Sequence, residues 1–458
     1  MGGKASILLV LGFSMIFLVF EHNYGSYSMR AFETLSSYFE ESMAHNIAVS
    51  AANMAANQIF MDEYWDAGYS NISYQGGTFS VYVDNPLSGT TGKVLICHRP
   101  NGDTLHEHTI SVAPSAVGPH MAHGDKMGPC SVIDTTYAKP TIVLTAVADY
   151  HNVNSTIVVK FQSSSFSKFA YFSTNEPSNI WWTQSDTVWG PFHTNGYLRC
   201  DNHPTFMGKV TIRRRILYHD SKRGDKPNLN GGFASGVNLP LPSDGVTKVQ
   251  AAAASGVKFS GHNQVFLEFA EDSIRYKFSA GDQYTTVYGS TLAPNGVIFA
   301  ENAELHIKGT VKGKYTVAAS GTHGSKGIIY IDDDIKLKSD PRTNPLSKDL
   351  LGIVAKRDVY ITNNAANNSG GIDIQASIYC ETGGFGSEDY ATRPVSGDIR
   401  LYGGLIQNVR RAVGTYSSYY QQSMSGFNKR YRYDERFKLI SPPSFPGTGA
   451  YEIVSWYE

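Results

Sequence analysis

The sequence predicts a mainly β protein: an N-terminal transmembrane and amphipathic helix, a small antiparallel β domain, then a parallel β-helix-like domain. Three observations predict it. Ala5–Phe20 carries no charge and leads into a helical pattern. Between Tyr69 and residue 162, alternating and β-branched runs are broken by Gly, Pro and Asn, as in strands and hairpins. From Ser163 onward, apolar runs of about four to seven residues recur roughly every 20–25 residues between Gly- and Asn-bearing turns, the texture of irregular stacked coils. The boundaries follow: anchor and long helix 1–65, small β-sheet domain 66–162, β-helix-like domain 163–458.

The first element is read from its charges. A spanning helix needs about 20 apolar residues. The run Ala5–Phe20, with Leu8 and Leu11 inside it, reaches that length if the helix continues to Tyr24. Tyr24 and Tyr27 then act as interfacial anchors. Lys4 precedes the run and Glu21 follows it, so the positive-inside bias puts the N-terminus in the cytoplasm and the body outside. Beyond it, Leu35, Phe39, Met43, Ile47 and Ala51, with Met54 and Ala55, form an apolar stripe on an amphipathic helix.

In the second element, Asn101-Gly102 is a hairpin-turn signal. Cys97 and Cys130 both fall here and are the expected disulfide pair; closing a loop of about 33 residues would contribute roughly 3–4 kcal/mol. None of the four cysteines stands in a CxxC pair, which argues against a zinc knuckle or redox motif. Cys200 and Cys380 would pair only if their coils are adjacent.

In the third element, four blocks carry a resemblance. They are SFSKFAYFSTNE (165–176), DTVWGPFHTNGYLRCDNHPTFMGKVT (186–211), the run from GTVKGKYTVAASG through IIYIDDDI to LLGIVAKRDVYI (309–361), and the tail YRYDERF with PPSFPGTGAYEIVSWYE (431–458). Together they resemble PilX-like, type IV pilin-related proteins that carry a C-terminal conserved domain of unknown function. The resemblance rests most on Gly190, Pro191, His193, Asn195 and Gly196, followed by Pro204, Phe206 and Gly208. It implies a minor subunit or assembly factor of a type IV pilus or related secretion or adhesion system. Other pilin-like subunits, pilus assembly proteins and the inner membrane would be its partners. The body would lie in the periplasm or at the cell surface. The sequence departs from the pilin leader: Gly3 is followed by Lys4, and no acid occurs before Glu21.

Candidate sites are few. His193, Asp201 and His203 surround GPFHTNG; their plain reading is turn-backbone hydrogen bonding. His106, Glu107, His108, His120 and His123 offer imidazoles to a transition metal, with incidental surface histidines as the plainer account. Asp332, Asp333 and Asp334 read as a solvated turn. A polysaccharide-active enzyme would have to use Asp332, Asp334, Asp358 and Lys356, and a glycan-binding adhesin Trp181, Trp182 and Trp189. A surface glycan is the ligand of that alternative. Net charge is −1, which excludes the electrostatic footprint of a nucleic-acid binder. Arg213–Arg215 and Lys429–Arg436 read as solvated strand edges. The expectation is therefore a non-enzymatic protein without metal, cofactor or nucleic-acid partner.

Overall fold

The structure is a computed structural model and describes residues 2–62, 65–85, 94–99, 108–112, 116–127, 141–165, 168–220, 224–438 and 440–458. The chain is mainly β, with a long N-terminal apolar helix, a small antiparallel sheet and a large, mixed, largely parallel sheet. Its described residues divide into two compact units. One holds those up to 162 together with 451–458, and the other holds 163–450.

In the first unit, helix α1 (Gly2–Met61) is continuous through Gly25. Its C-terminal part packs on a five-stranded sheet through Ala44, Ile47, Ala48, Ala51, Ala52, Ala55, Ala56 and Ile59. These positions follow the 3.6-residue period of a helix, and small side chains let the helix axis approach the strands. Leu35, Phe39 and Met54 of the expected stripe are exposed instead. A strict four-residue spacing drifts around the helix, so the stripe turns away from the sheet. The sheet order is Tyr69–Tyr74, Gly77–Asp84, Thr141–Tyr150, Val153–Ser165, Gly447–Tyr457. Thr141–Tyr150 buries alternate residues, Ile142, Leu144, Ala146 and Ala148, against α1. It is joined to Val153–Ser165 by His151 and Asn152, both at positive φ (53° and 69°), the backbone of a two-residue hairpin turn. A second sheet joins Val94–His98, His108–Val112 and Lys126–Met127. The Asn101-Gly102 turn lies outside the described residues.

In the second unit, strands pair in parallel with strands one coil away. One ladder runs Val257–Phe259, Val297–Ala300, Lys314–Ala319, Leu350–Ala355, Ile372–Cys380 and Val395–Val409. The stack does not end there. Val395–Val409 pairs next with Tyr171–Asn175, which pairs with Phe192–Thr194, then Val210–Ile212, then Phe233–Ser235. The earliest coil thus docks on the last one, and residues 171–235 extend a stack that residues 257–433 began. The chain must return from Ser235 to Val257, and on that crossover lies helix α2 (Gly245–Ala252), with a 3-10 turn at Ala253–Ser255. Val246, Val249 and Ala253 cover the outer apolar face made by Phe172, Val297, Phe299, Ala318, Val354, Tyr379 and Ile406. The larger core lies within the coils.

Candidate functional site

Of the motif residues that carried the resemblance, Gly190 and Gly208 are corners of these coils. Val188 pairs with Phe206, and Phe206 with Leu229. Gly190, Gly208 and Gly231 therefore stack two positions later on three successive coils. A Cβ on Gly208 would come within 2.1 Å of the Gly190 carbonyl oxygen, and one on Gly231 within 2.2 Å of the Gly208 carbonyl carbon. Only hydrogen fits at that approach. Phe206 is core, and Pro191 accepts the Ala170 amide at 2.9 Å. Pro204 accepts the amide of Asn228, one coil further on, at 2.9 Å.

His193 and Asn195 do something else. His193 is fully buried, stacked on Phe172 with centroids 5.2 Å apart. Its Nδ1 is 2.8 Å from the Thr211 hydroxyl and its Nε2 2.9 Å from Asn195 Oδ1. Asn195 in turn donates to the Leu239 carbonyl (2.6 Å) and accepts the Leu239 amide (3.1 Å). The pair clips the crossover to the coil stack rather than bonding its own turn. Burial lowers the His193 pKa, with the Asn195 hydrogen bond opposing. Asn195 and Gly196 also border an open cleft of about 640 Å³ with Tyr197, Arg199, Arg213 and Arg214. The guanidinium groups of Arg199 and Arg214 lie over the Tyr197 ring.

Where the first coil docks on the last, charges are buried. Arg410 Nη1 donates to Glu176 Oε2 at 3.0 Å, and Nη2 to the Trp181 carbonyl at 3.0 Å. Tyr171 and Ser173 hydroxyls also donate to Glu176 Oε1 (2.7 and 2.6 Å). Lys429 Nζ donates to Asp186 Oδ2 at 2.7 Å. Between the two pairs stands Trp182, fully buried, with the Arg410 guanidinium 4.1 Å and the Lys429 ammonium 5.4 Å from its ring centroid. Lys429–Arg436 is thus not a solvated edge. Lys429 is buried, and Arg436 chelates Asp434 while donating to the Ser347 and Asp349 carbonyls. Trp182 is core, Trp181 is half-buried, and Trp189 is exposed.

The acids offered to an enzyme are dispersed in separate contacts. Asp332 accepts His306 Nδ1 (3.0 Å) and Thr362 (2.6 Å); Asp334 pairs with Lys336; Asp358 pairs with Arg411 (2.8 Å); Lys356 pairs with Glu381. Asp332–Asp334 form a bulge, where the pairing shifts from Ile307↔Ile331 to Gly309↔Ile335.

Among the described residues, two clusters bring metal-ligating types together. In the first unit His98 Nδ1 and His120 Nδ1 both approach Asp125 Oδ2 (2.8 and 2.7 Å), and the Arg99 amide donates to Oδ1 (2.7 Å). Burial alone would raise the Asp125 carboxyl; the hydrogen bonds from His98, Arg99 and His120 outweigh it and hold it well below the usual range. His98 and Asp125 were missed in the sequence because they flank the histidine cluster rather than fall within it. His123 is exposed, and His106 and Glu107 lie outside the described residues. The other cluster is Asp201, His219 and Asp225; His203 instead meets the Lys226 carbonyl at 3.0 Å. Cys97 is disulfide-bonded and Cys130 lies outside the described residues. Cys200 and Cys380 are free and buried, and burial pushes both thiols up.

The surface that stands apart is on α1. Large apolar side chains from Ile7 to Phe39 are uncovered, Phe32 being 69% and Leu35 65% exposed. Leu8, Leu11 and Phe20 of the expected anchor are among them. This is the one described helix long and apolar enough to cross a membrane.

No protein-family model matches the chain, and no curated protein matches it. Among solved structures, it is similar to the crystal structure of the competence-associated pilin ComZ from Thermus thermophilus, at 11% identity and a TM-score of 0.35, covering 85% of this chain and 86% of that one.

Proposed function

We propose that this chain is a membrane-anchored, pilin-like minor subunit or assembly factor of a type IV pilus or related secretion system, acting without enzymatic turnover. One observation carries the reading: α1 exposes more apolar length than a bilayer hides. At 1.5 Å per residue, residues 5–24 span about 30 Å, the thickness of the hydrocarbon core. Met29, Phe32, Leu35, Tyr38 and Phe39 continue the uncovered surface beyond that length. Helices of neighbouring subunits would cover it in an assembly, while the same helix, from Ala44 on, carries its own sheet. The dispersed ion pairs of Asp332, Asp334, Asp358 and Lys356 support a non-catalytic body. The resemblance to PilX-like proteins rests on the quoted blocks alone.

The test separates anchor from assembly. Alkaline carbonate extraction should leave the chain in the membrane pellet, and pilin subunits should co-purify with it. The triple variant Phe32→Glu/Leu35→Glu/Phe39→Glu should stay folded and membrane-bound yet lose the co-purifying pilins. Soluble recovery of the intact wild-type chain would sink the anchor. Unchanged piliation, motility, secretion and adhesion in a deletion strain, with no pilin co-purifying, would sink the assembly role.

A further inference from the structure

Coil stacking delivers three ligand-type side chains to one point. Leu198–Asp201 and Ile216–Tyr218 pair in parallel with Cys200 opposite Tyr218. Asp201 and His219 are therefore equivalent positions on neighbouring coils, one strand spacing apart. Asp225 comes back to them from the turn that follows, held by the Asp220 amide, which donates to its Oδ2 at 2.8 Å. One ligand atom from each of the three lies within 4.8 Å of the other two.

Their electrostatics differ from those of four other buried acids of this unit. Glu176, Asp186, Asp358 and Asp434 are each answered by a cation, Arg410, Lys429, Arg411 and Arg436. Asp201 (5% exposed) and Asp225 (3%) have no such partner among the described residues. Two buried carboxylates side by side repel one another and are costly without positive charge. The second Asp225 oxygen accepts no hydrogen bond from a described residue, and neither do the His219 ring nitrogens bond one. The support around the three is nonetheless built. The Ser418 hydroxyl and the Asn202 amide donate to the two Asp201 oxygens, and the Trp181 ring meets the His219 ring edge-on at 5.1 Å. Metal ligands are ordinarily oriented in this way by an outer layer of hydrogen bonds and packing.

We propose that Asp201, His219 and Asp225 bind a divalent transition-metal ion of the zinc class. Calcium and magnesium take oxygen ligands almost throughout, whereas an imidazole beside two carboxylates suits zinc and its neighbours. The bound ion neutralises the carboxylate pair and ties the turn carrying Asp225 to the coil beneath it.

The experiment uses the full chain in detergent, stripped with EDTA and titrated with ZnCl2 by calorimetry, with metal counted by mass spectrometry. The variant His98→Ala/His120→Ala serves as background, so that the other histidine cluster contributes nothing. That background should bind one zinc per chain and gain thermal stability from it. Adding Asp225→Asn or His219→Ala should weaken zinc binding at least ~100-fold, and adding Ser418→Ala about 10-fold. His219 is exposed, so its variant keeps the test decisive if Asp225→Asn fails to fold. No zinc bound by the background, undiminished affinity in His219→Ala, or displacement of zinc by equimolar calcium would each overturn the assignment.

Discussion

Two interfaces within the coil stack hold the same kind of strand together by different means. Between Leu350–Ala355, Ile372–Cys380 and the C-terminal half of Val395–Val409, the inward residues in register carry no charge: Ile353 stacks on Ile378 on Leu405, and Ala355 on Cys380 on the amide of Gln407. One coil further on, where Val395–Val409 meets Tyr171–Asn175, the interior also holds Arg410 on Glu176 and Lys429 on Asp186, with Trp182 between them. The first interface joins coils that follow one another along the chain. The second joins residues more than 230 apart in sequence, as in the 234-residue separation of Arg410 and Glu176. Coils linked by a short turn find each other by connectivity. Coils linked only through the whole stack gain from contacts that a wrong register leaves unpaired, and a buried charge without its partner is the strongest such penalty.

The comparison breaks most visibly if one charge is removed. Arg410→Met should cost about 3–5 kcal/mol, because Glu176 is left charged and buried. Glu176→Gln/Arg410→Met should recover most of that loss, whereas Ile378→Val inside the apolar interface should cost only about 0.5–1.5 kcal/mol. Urea midpoints of the three variants check it, and equal losses for Arg410→Met and Ile378→Val would erase the distinction. The glycine corners come next. Gly208→Ala forces a methyl group against the Gly190 carbonyl and should cost about 1–3 kcal/mol, read from the thermal midpoint.

A smaller effect sharpens the comparison by pH. His193 lies on the coil next to the charged interface, and its folded pKa is lowered, so the folded state holds fewer protons there than the unfolded chain. Its contribution is complete above the ordinary histidine pKa of about 6.5 and is lost as pH falls through the folded value. The wild type should therefore lose more stability between pH 7.5 and 5 than His193→Gln, as thermal melts at the two pH values would record. Least of all, Lys338→Ala, which removes an exposed partner of Glu271, should leave the midpoint unmoved.

How much of this was legible in the sequence depends on how local the signal is. The uncharged run Ala5–Phe20 and the alternation in Thr141–Tyr150 are written in neighbouring residues, and both could be read there. The corner motif was also present, as WGPF, MGKV and NGGF at Gly190, Gly208 and Gly231, but its spacing is uneven, so only the parallel register exposes it as a repeat. Arg410 with Glu176 was invisible, since nothing near either residue marks its partner. Lys429 looked like part of a basic surface run because charge alone does not report burial. Asp225 and His219 belong to no compact motif; the stacking of Cys200 on Tyr218 is what makes them neighbours of Asp201.

The small sheet of the first unit carries a cost in time. Its fifth strand, Gly447–Tyr457, completes the edge left by Val153–Ser165. Gly447 lies 282 positions after Ser165, a stretch that the ribosome makes in roughly 15–55 s at about 5–20 residues per second. Throughout that interval the nascent chain presents a strand edge whose amides and carbonyls have no partner of their own, a template for any other extended segment nearby. The rate at which the intervening residues are made therefore sets how long that edge stays open.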